Sequence, residues 1–137
     1  MNQAVPENVL LPALQNPLLE YLGVSLRDWR EGYVEMQLPL QPHLLNRSGV
    51  VHGGVICALL DAVAGYSGLY APPGAEPKHG VTLSLTSNFL NNGVGSMLTG
   101  KGTVERSGGS IYFSRAEAWL DEKLLVATAV GTFRYLR

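Results

Sequence analysis

The sequence has a single cysteine, no long apolar run and no excess of positive charge, and each shortage excludes a class of protein. One cysteine among 137 residues cannot form a disulfide within the chain, and it leaves too few ligands for the usual zinc sites. No run of about 18 apolar residues is present, which excludes a membrane-spanning helix. The first ten residues contain no Lys or Arg, unlike a secretory signal peptide. The cytoplasm is therefore the expected compartment, and no metal is expected.

Charge and length narrow the class further. Ten basic and eleven acidic residues give a net charge of −1, so neither nucleic acid nor an anionic membrane is an expected partner. Hydrophobic residues make up 46% of the chain, which is typical of a folded protein. The length suits one domain. We expect residues 1–20 to be a lead-in with a short helix at 17–21, and residues 21–137 to form a single domain.

The pattern of apolar residues predicts one long helix and six strands. The helix is expected from Gly53 to about Tyr70, before a Pro-Pro-Gly segment that would end it. Alternation of apolar and polar residues predicts strands at 23–29, 33–40, 79–89, 97–106, 111–120 and 124–135. This order and the short connections predict an α+β domain whose last four strands form an antiparallel meander. Glycines within the helix indicate that a neighbouring backbone packs closely against it.

A motif surrounds the predicted start of the helix. Asn46 is followed by Gly49, then by His52-Gly53-Gly54, and Asp61 comes nine residues after the histidine. With these residues at these spacings, the segment resembles the hotdog-fold acyl-CoA thioesterases, in the branch named after the phenylacetate-degradation protein PaaI. The element order fits that family over about residues 20–136. The resemblance implies a long helix wrapped by a curved antiparallel sheet of five to six strands, in chains paired into dimers and often tetramers.

The same resemblance implies a reaction, the hydrolysis of an acyl-CoA to a free acid and CoA. No cofactor is implied, because CoA is part of the substrate. Two alternatives stay open. One is an acyl-thioester dehydratase or hydratase on the same fold, although those enzymes pair a catalytic histidine with an acid in a different arrangement. The other is a non-catalytic acyl-CoA-binding protein, against which the acid on the helix counts.

The start of the helix is the predicted oxyanion site. The first N–H groups of a helix have no partner inside it and lie at its positive end. We therefore expect the Gly53 N–H to stabilise the charge that develops on an attacked thioester oxygen, with Gly54 beside the substrate. The other interpretation is that the glycines only permit a tight turn. Asn46 would donate to the same oxygen or form an Asx-turn, and His52 would position the substrate or serve the loop alone.

Asp61 is the predicted acid. It would act as a general base for water or as a nucleophile that forms a mixed anhydride, and the other interpretation is a surface aspartate. The resemblance implies that Thr82 orients the attacking water. Alternation along the strand instead places Thr82 with Ser84 and Thr86 on the polar face. Cys57 lies among apolar neighbours in the helix, and we expect it in the core.

The spacing of Gly53 and Asp61 predicts a shared site. Eight residues of helix at 1.5 Å each separate them by about 12 Å. A donor and an attacking group must both lie within about 3 Å of one carbonyl, so one straight helix cannot supply both. A two-fold dimer with antiparallel helices would bring Gly53 of one subunit to Asp61 of the other.

The remaining candidates concern the rest of the substrate. Arg106, Ser107 and Gly108 begin a basic, glycine-bearing hairpin that could contact the CoA phosphates, and ordinary solvated turn residues are the alternative. Lys78 and Lys123 are further candidates for the same contact. Three aromatic residues could line the acyl pocket, with core packing favoured for the last of them: Tyr66, Tyr70 and Phe89.

Overall fold

The computed structural model describes residues 14–137, which form one six-stranded sheet around one main helix. The two α-helices are α1 (Pro17–Leu22) and α2 (Gly53–Tyr66). The strands are β1 (Ser25–Arg30), β2 (Tyr33–Pro39), β3 (His79–Phe89), β4 (Met97–Ser107), β5 (Ile111–Leu120) and β6 (Leu124–Leu136). The short helix expected at 17–21 is present, and most of the predicted lead-in lies outside the described residues. From residue 14 onward, no helix is long and apolar enough to cross a membrane.

The sheet is antiparallel throughout, with the order β1-β2-β4-β5-β6-β3. One helix against such a sheet confirms the predicted α+β hotdog architecture. The predicted meander of the last four strands is wrong, because β3 pairs with β6 and not with β4. The connection from β3 to β4 does not form a hairpin. It crosses the β5–β6 turn, where Leu90 N donates to Val126 O and Asp121 Oδ1 accepts from Ser96 N and Met97 N. This crossing leaves β3 at the edge of the sheet.

The main helix packs directly on the backbone of β4. A Cβ added to Gly100 would lie 2.8 Å from Leu59 Cγ, and one added to Gly102 would overlap the Val63 carbonyl. Leu59 and Val63 are completely buried, and each such side chain contributes about 1.5–3 kcal/mol to folding. The closest backbone approach therefore depends on glycines of the strand rather than on glycines of the helix.

Helix α2 ends at Tyr66, four residues before the predicted end near Tyr70. Side chains from the sheet bond to its last carbonyls: the Tyr112 hydroxyl donates to Gly65 O at 2.6 Å, and Trp29 Nε1 donates to Tyr66 O at 2.9 Å. Just beyond, a side chain at Gly68 would overlap the Tyr112 ring. These contacts replace a further turn of helix and fix the end of α2 on the sheet.

Candidate functional site

The first turn of α2 presents one uncommitted amide. His52 is the N-cap residue, and its Nδ1 accepts from Gly54 N at 2.8 Å. Within residues 14–137, no hydrogen bond engages the Gly53 N–H. The cap thus occupies the amide of Gly54, the residue expected beside the substrate, and leaves the Gly53 N–H as the available donor. His52 acts here on the helix end itself.

Asn46 supplies a second donor to the same cleft. Its Oδ1 accepts from Ser48 N at 2.8 Å and from Val50 N at 3.3 Å, which is the Asx-turn considered from the sequence. This leaves the NH₂ of the side chain without a partner among the residues described. Asn46 and Gly53 line one open cleft of about 480 Å³. The structure therefore brings together the two groups predicted to stabilise an oxyanion.

Two residues between α2 and β3 differ from expectation. Phe89 was expected in the core, but it is 54% exposed and lines the cleft, with its ring 3.7 Å from a Cβ placed on Gly53. Cys57 was also expected in the core, but it is half-buried, with its Sγ 3.9 Å from Ser87 Oγ. Both side chains lie between α2 and the edge strand β3, where the core ends.

Asp61 is paired with Thr82, whose hydroxyl donates to Asp61 Oδ1 at 2.7 Å. Alternation predicted Thr82 on the polar face with Ser84 and Thr86. A β-bulge changes this, because Thr82 pairs with Phe133 and Ser84 with the adjacent Thr132. The one extra residue reverses which side chains face the helix, and bulges often redirect side chains next to active sites.

A pocket of about 200 Å³ opens beside this pair. Its walls are mainly apolar and aromatic and include Leu18, Leu19, Tyr66, Tyr112 and Phe133. Tyr66, a predicted substrate contact, lines the same pocket as Asp61. Tyr70 lies elsewhere, edge-on against Trp29.

Tyr112 is a residue that the sequence analysis did not single out. It is completely buried, stacks on Phe133 and contacts Tyr135 in a tilted ring pair. Burial raises the pKa of its phenol well above the usual value, and the nearby Tyr135 and Asp61 raise it further. The hydroxyl therefore stays protonated and donates to Gly65 O. The sequence did contain a signal for this packing. After Tyr112, every second residue of β5 up to Ala118 is small, and α2 packs against β5.

The residues predicted to hold CoA are not all together. Ser107 and Gly108 line a surface cleft of about 470 Å³ with Lys78, but the exposed Arg106 does not line it. Arg137, which the sequence analysis missed, does line it and donates to Gly109 O at 3.2 Å.

Lys123 lies at the other end of the sheet. Strand β5, ten residues and roughly 34 Å long, separates its turn from the 107–110 hairpin. One cleft of this chain therefore does not contain both groups. Across residues 14–137, no group of three His, Cys, Asp or Glu side chains could hold a metal ion.

The two halves of the site lie in separate clefts of this chain. Asn46 and Gly53 line one, and Asp61 and Thr82 line the other. Gly53 and Asp61 are eight residues apart on α2, so about 12 Å along the helix axis separates the two residues. Within the described residues, the predicted oxyanion donors and the predicted acid therefore line different clefts.

Comparison with known proteins places this arrangement in a family. The chain is 24% identical to the medium/long-chain acyl-CoA thioesterase YigI of Escherichia coli, over 85% of this chain and 84% of that protein. The solved structure of the conserved protein PA5202 from Pseudomonas aeruginosa matches with a TM-score of 0.79 and 27% identity, over 91% of this chain and all of that one. The E. coli PaaI protein from the phenylacetic acid degradation operon matches with a TM-score of 0.75 and 22% identity, over 90% and 86% of the two chains.

The sequence profile of the thioesterase superfamily covers more than half of this chain. It matches residues 48–127, a range that includes Gly53, Asp61 and Thr82. The chain is a member of the thioesterase superfamily, and it is a thioester hydrolase.

Proposed function

We propose that the protein hydrolyses an acyl-CoA thioester to a free acid and CoA at a site that two copies of the chain form together. The proposal rests on two groups that lie on α2, an oxyanion donor and an acid. Helix α2 begins at Gly53 with an amide that has no hydrogen-bond partner among residues 14–137, and the Asp61 carboxylate, hydrogen-bonded to Thr82, follows about two turns later. The names of relatives such as YigI support an acyl-CoA substrate for this chain too.

Asp61 provides the attack in the proposed reaction. Its carboxylate accepts a proton from water while the water oxygen bonds to the thioester carbonyl carbon. The carbonyl π electrons move to the oxygen, which the Gly53 N–H and the Asn46 amide of the other subunit stabilise. As this intermediate collapses, the C–S bond breaks, the CoA thiolate leaves and takes up the proton, and the acid dissociates to its carboxylate.

A nucleophilic route uses the same groups. An Asp61 oxygen bonds to the carbonyl carbon, CoA thiolate leaves, and water then hydrolyses the mixed anhydride to regenerate Asp61 and release the acid. Thr82 orients the carboxylate through its 2.7 Å hydrogen bond in either route. Both routes need the oxyanion donors within about 3 Å of the carbonyl.

The edge strand supports the shared site. Strand β3 has eleven residues and, within residues 14–137, pairs only with β6; it exposes the apolar side chains of Val81, Leu83 and Phe89. A long, apolar edge of this kind is a template for pairing with a second chain. Pairing of two β3 edges about a two-fold axis would set the α2 helices antiparallel and place each Gly53 opposite an Asp61.

Release of free thiol from a panel of aryl and aliphatic acyl-CoAs tests the reaction, with Asp61→Asn as the variant. The parent should release thiol, and the variant should lose at least about 100-fold in rate because the base or nucleophile is gone. The exposed Glu122→Gln provides a matched loss of charge and should leave the rate unchanged. Binding of acyl-CoA without thiol release would support a binding protein, and hydration with the thioester intact would support a hydratase.

Complementation tests the shared site. Asn46→Asp is a suitable second variant, because its carboxylate can still accept from Ser48 N and Val50 N while the donor is lost. A heterodimer of Asp61→Asn and Asn46→Asp chains, co-expressed with two tags and purified, has one intact site of two, so we expect about half of the parent activity. A heterodimer as inactive as both homodimers would show that each site lies within one chain.

A further inference from the structure

Helix α1 lines one end of the pocket beside Asp61. Leu18 and Leu19 of α1 line it, together with Asn16, the N-cap residue of that helix. Tyr66 lines the same end from α2. Asp61 and Thr82 lie in the same pocket, so the carboxylate and α1 bound one space.

Helix α1 is fixed to α2 by specific contacts. Leu19 is only 3% exposed and belongs to the core. The Asn16 side chain accepts from Leu19 N at 3.3 Å and donates to the Tyr66 hydroxyl at 3.4 Å, and that hydroxyl donates to Leu14 O at 3.5 Å. The Tyr66 ring packs on Trp29, which bonds to the end of α2. These contacts hold α1 in a fixed position at the end of the pocket.

The dimensions of the pocket limit what it holds. Asp61 and Tyr66 are five residues apart on α2, which is about 7.5 Å along the helix. An extended polypeptide advances about 3.3–3.6 Å per residue, which is three backbone bonds, and on that scale about six bonds span the same length. The volume is about 200 Å³, and a dry protein cavity of about 150 Å³ accepts benzene. The space fits one aromatic ring or about six carbons.

We propose that α1 is the specificity-determining wall of the acyl pocket and that it restricts the substrate to compact acyl groups. This inference rests on the proposed thioesterase function. The acyl group enters beside Asp61 and Thr82 and ends against Leu18, Leu19 and Tyr66. A chain of ten or more carbons meets the wall before its carbonyl reaches the carboxylate.

Two opposite substitutions test the wall. Leu18→Ala shortens a side chain that lines the pocket but is 57% exposed, so the fold tolerates the loss. Gly65→Ala adds a methyl to the pocket at 3.4 Å from the Phe133 ring, an ordinary contact, and favours the helix. Tyr21→Ala is the control, because Tyr21 lies on α1 at 79% exposure and does not line the pocket.

The measurement is kcat/KM for phenylacetyl-, hexanoyl-, octanoyl-, decanoyl- and dodecanoyl-CoA. The parent should prefer the first two by about ten-fold or more over decanoyl-CoA, since a misfit of one methylene in a pocket is worth about that much. Leu18→Ala should raise the octanoyl-to-hexanoyl ratio about ten-fold, Gly65→Ala should lower it, and Tyr21→Ala should leave it unchanged.

The outcomes separate this inference from the function on which it rests. Equal turnover of dodecanoyl- and hexanoyl-CoA by the parent would overturn the compact pocket while leaving the thioesterase intact. An unchanged ratio in Leu18→Ala would overturn the role of α1, and an unchanged ratio in Gly65→Ala would show that the acyl chain does not occupy this pocket. Failure to hydrolyse any acyl-CoA would contradict the proposed function, and the wall would be rejected with it.

Discussion

The two halves of the candidate site lie on one helix but are built in different ways. The oxyanion half is local: Asn46, His52 and Gly53 fall within eight consecutive residues, and the hydrogen bonds of the turn and the cap that shape it are made only to neighbouring residues. The acid half is assembled from distant segments. The Asp61 carboxylate accepts a hydrogen bond from Thr82, 21 residues away, and residues of α1, β5 and β6 also line its pocket.

This difference separates what short-range sequence determines from what the sheet determines. A cap and an Asx-turn need only the right residues at the right spacing. The Asp61–Thr82 bond needs a bulge in an edge strand, and the bulge exists only when β3 pairs with β6. Substitutions in the local half should therefore act on the chemistry alone, whereas substitutions in the distant half should also change packing.

Removal of the amide at Gly53 should give the largest effect. Gly53→Pro deletes the N–H at the first helical position, where proline is favoured and no helical bond is lost. The ψ of 135° at His52 suits a residue before proline. We expect kcat to fall by about 10²–10³-fold, as for loss of one oxyanion donor, with little change in the melting temperature.

Gly53→Ala is the matched control, because it retains the N–H and its methyl lies 3.7 Å from the Phe89 ring. It should keep most of the activity. Equal losses in the alanine and proline variants would show that the backbone N–H is not the donor, and an unfolded proline variant would show that this half is not as local as its contacts indicate.

The hydroxyl of Thr82 should give an intermediate effect. Thr82→Val keeps the branched shape and deletes the donor to Asp61, and a hydrogen bond to a charged group corresponds to about 10- to 100-fold in rate. Thr82→Ser should restore most of the rate. A valine variant with parental kcat and pH profile would contradict a positioning role for this hydroxyl.

Tyr112 should give the smallest effect on rate and a measurable effect on stability. Tyr112→Phe removes the bond to Gly65 O and should cost about 1 kcal/mol of unfolding free energy at pH 7, with kcat within a few-fold of the parent. Urea unfolding and thiol release measure the two quantities. A loss of 100-fold in kcat would instead place the phenol among the groups that touch the substrate.

Tyr112→Phe also tests how the stability of the protein depends on pH. The pKa of the buried phenol is raised, so its contribution to stability is complete below the unfolded value of about 10 and is lost as the pH rises toward the folded value. The parent should therefore lose more stability between about pH 9 and 11 than Tyr112→Phe does. Equal losses would contradict the raised pKa. Tyr33, whose phenol pKa burial also raises, keeps some of the slope in both proteins.

How much the sequence could predict follows the same division. The motif from Asn46 to Asp61 indicated the donor, the acid and their separation, and the bounds predicted for residues 79–89 and 111–120 match β3 and β5. The pairing of β3 with β6 escaped prediction, because a seven-residue connection at 90–96 does not specify whether it turns back or crosses the sheet. The prediction that β3 pairs with the next strand along the chain, β4, was wrong.

The bulge escaped prediction for a related reason. Val81, Leu83 and Leu85 alternate without interruption, so nothing in the sequence marks the extra residue that turns both Thr82 and Leu85 toward the helix. Arg137 was missed because its contact, Gly109, is 28 residues away across a strand pair. The bulge and the Arg137 contact both depend on the register in which the strands pair, and that register is set by tertiary structure.

The fixed position of α2 also has a consequence for how activity depends on protein concentration. The helix lies in backbone contact with β4 through Gly100 and Gly102, so the spacing between Gly53 and Asp61 along α2 is fixed in every chain. With the proposed shared site, only the association equilibrium can complete a catalytic unit. Mass action would then govern the amount of working enzyme: dilution below the dissociation constant would abolish turnover in chains that remain folded, and specific activity would rise with protein concentration until all chains are paired.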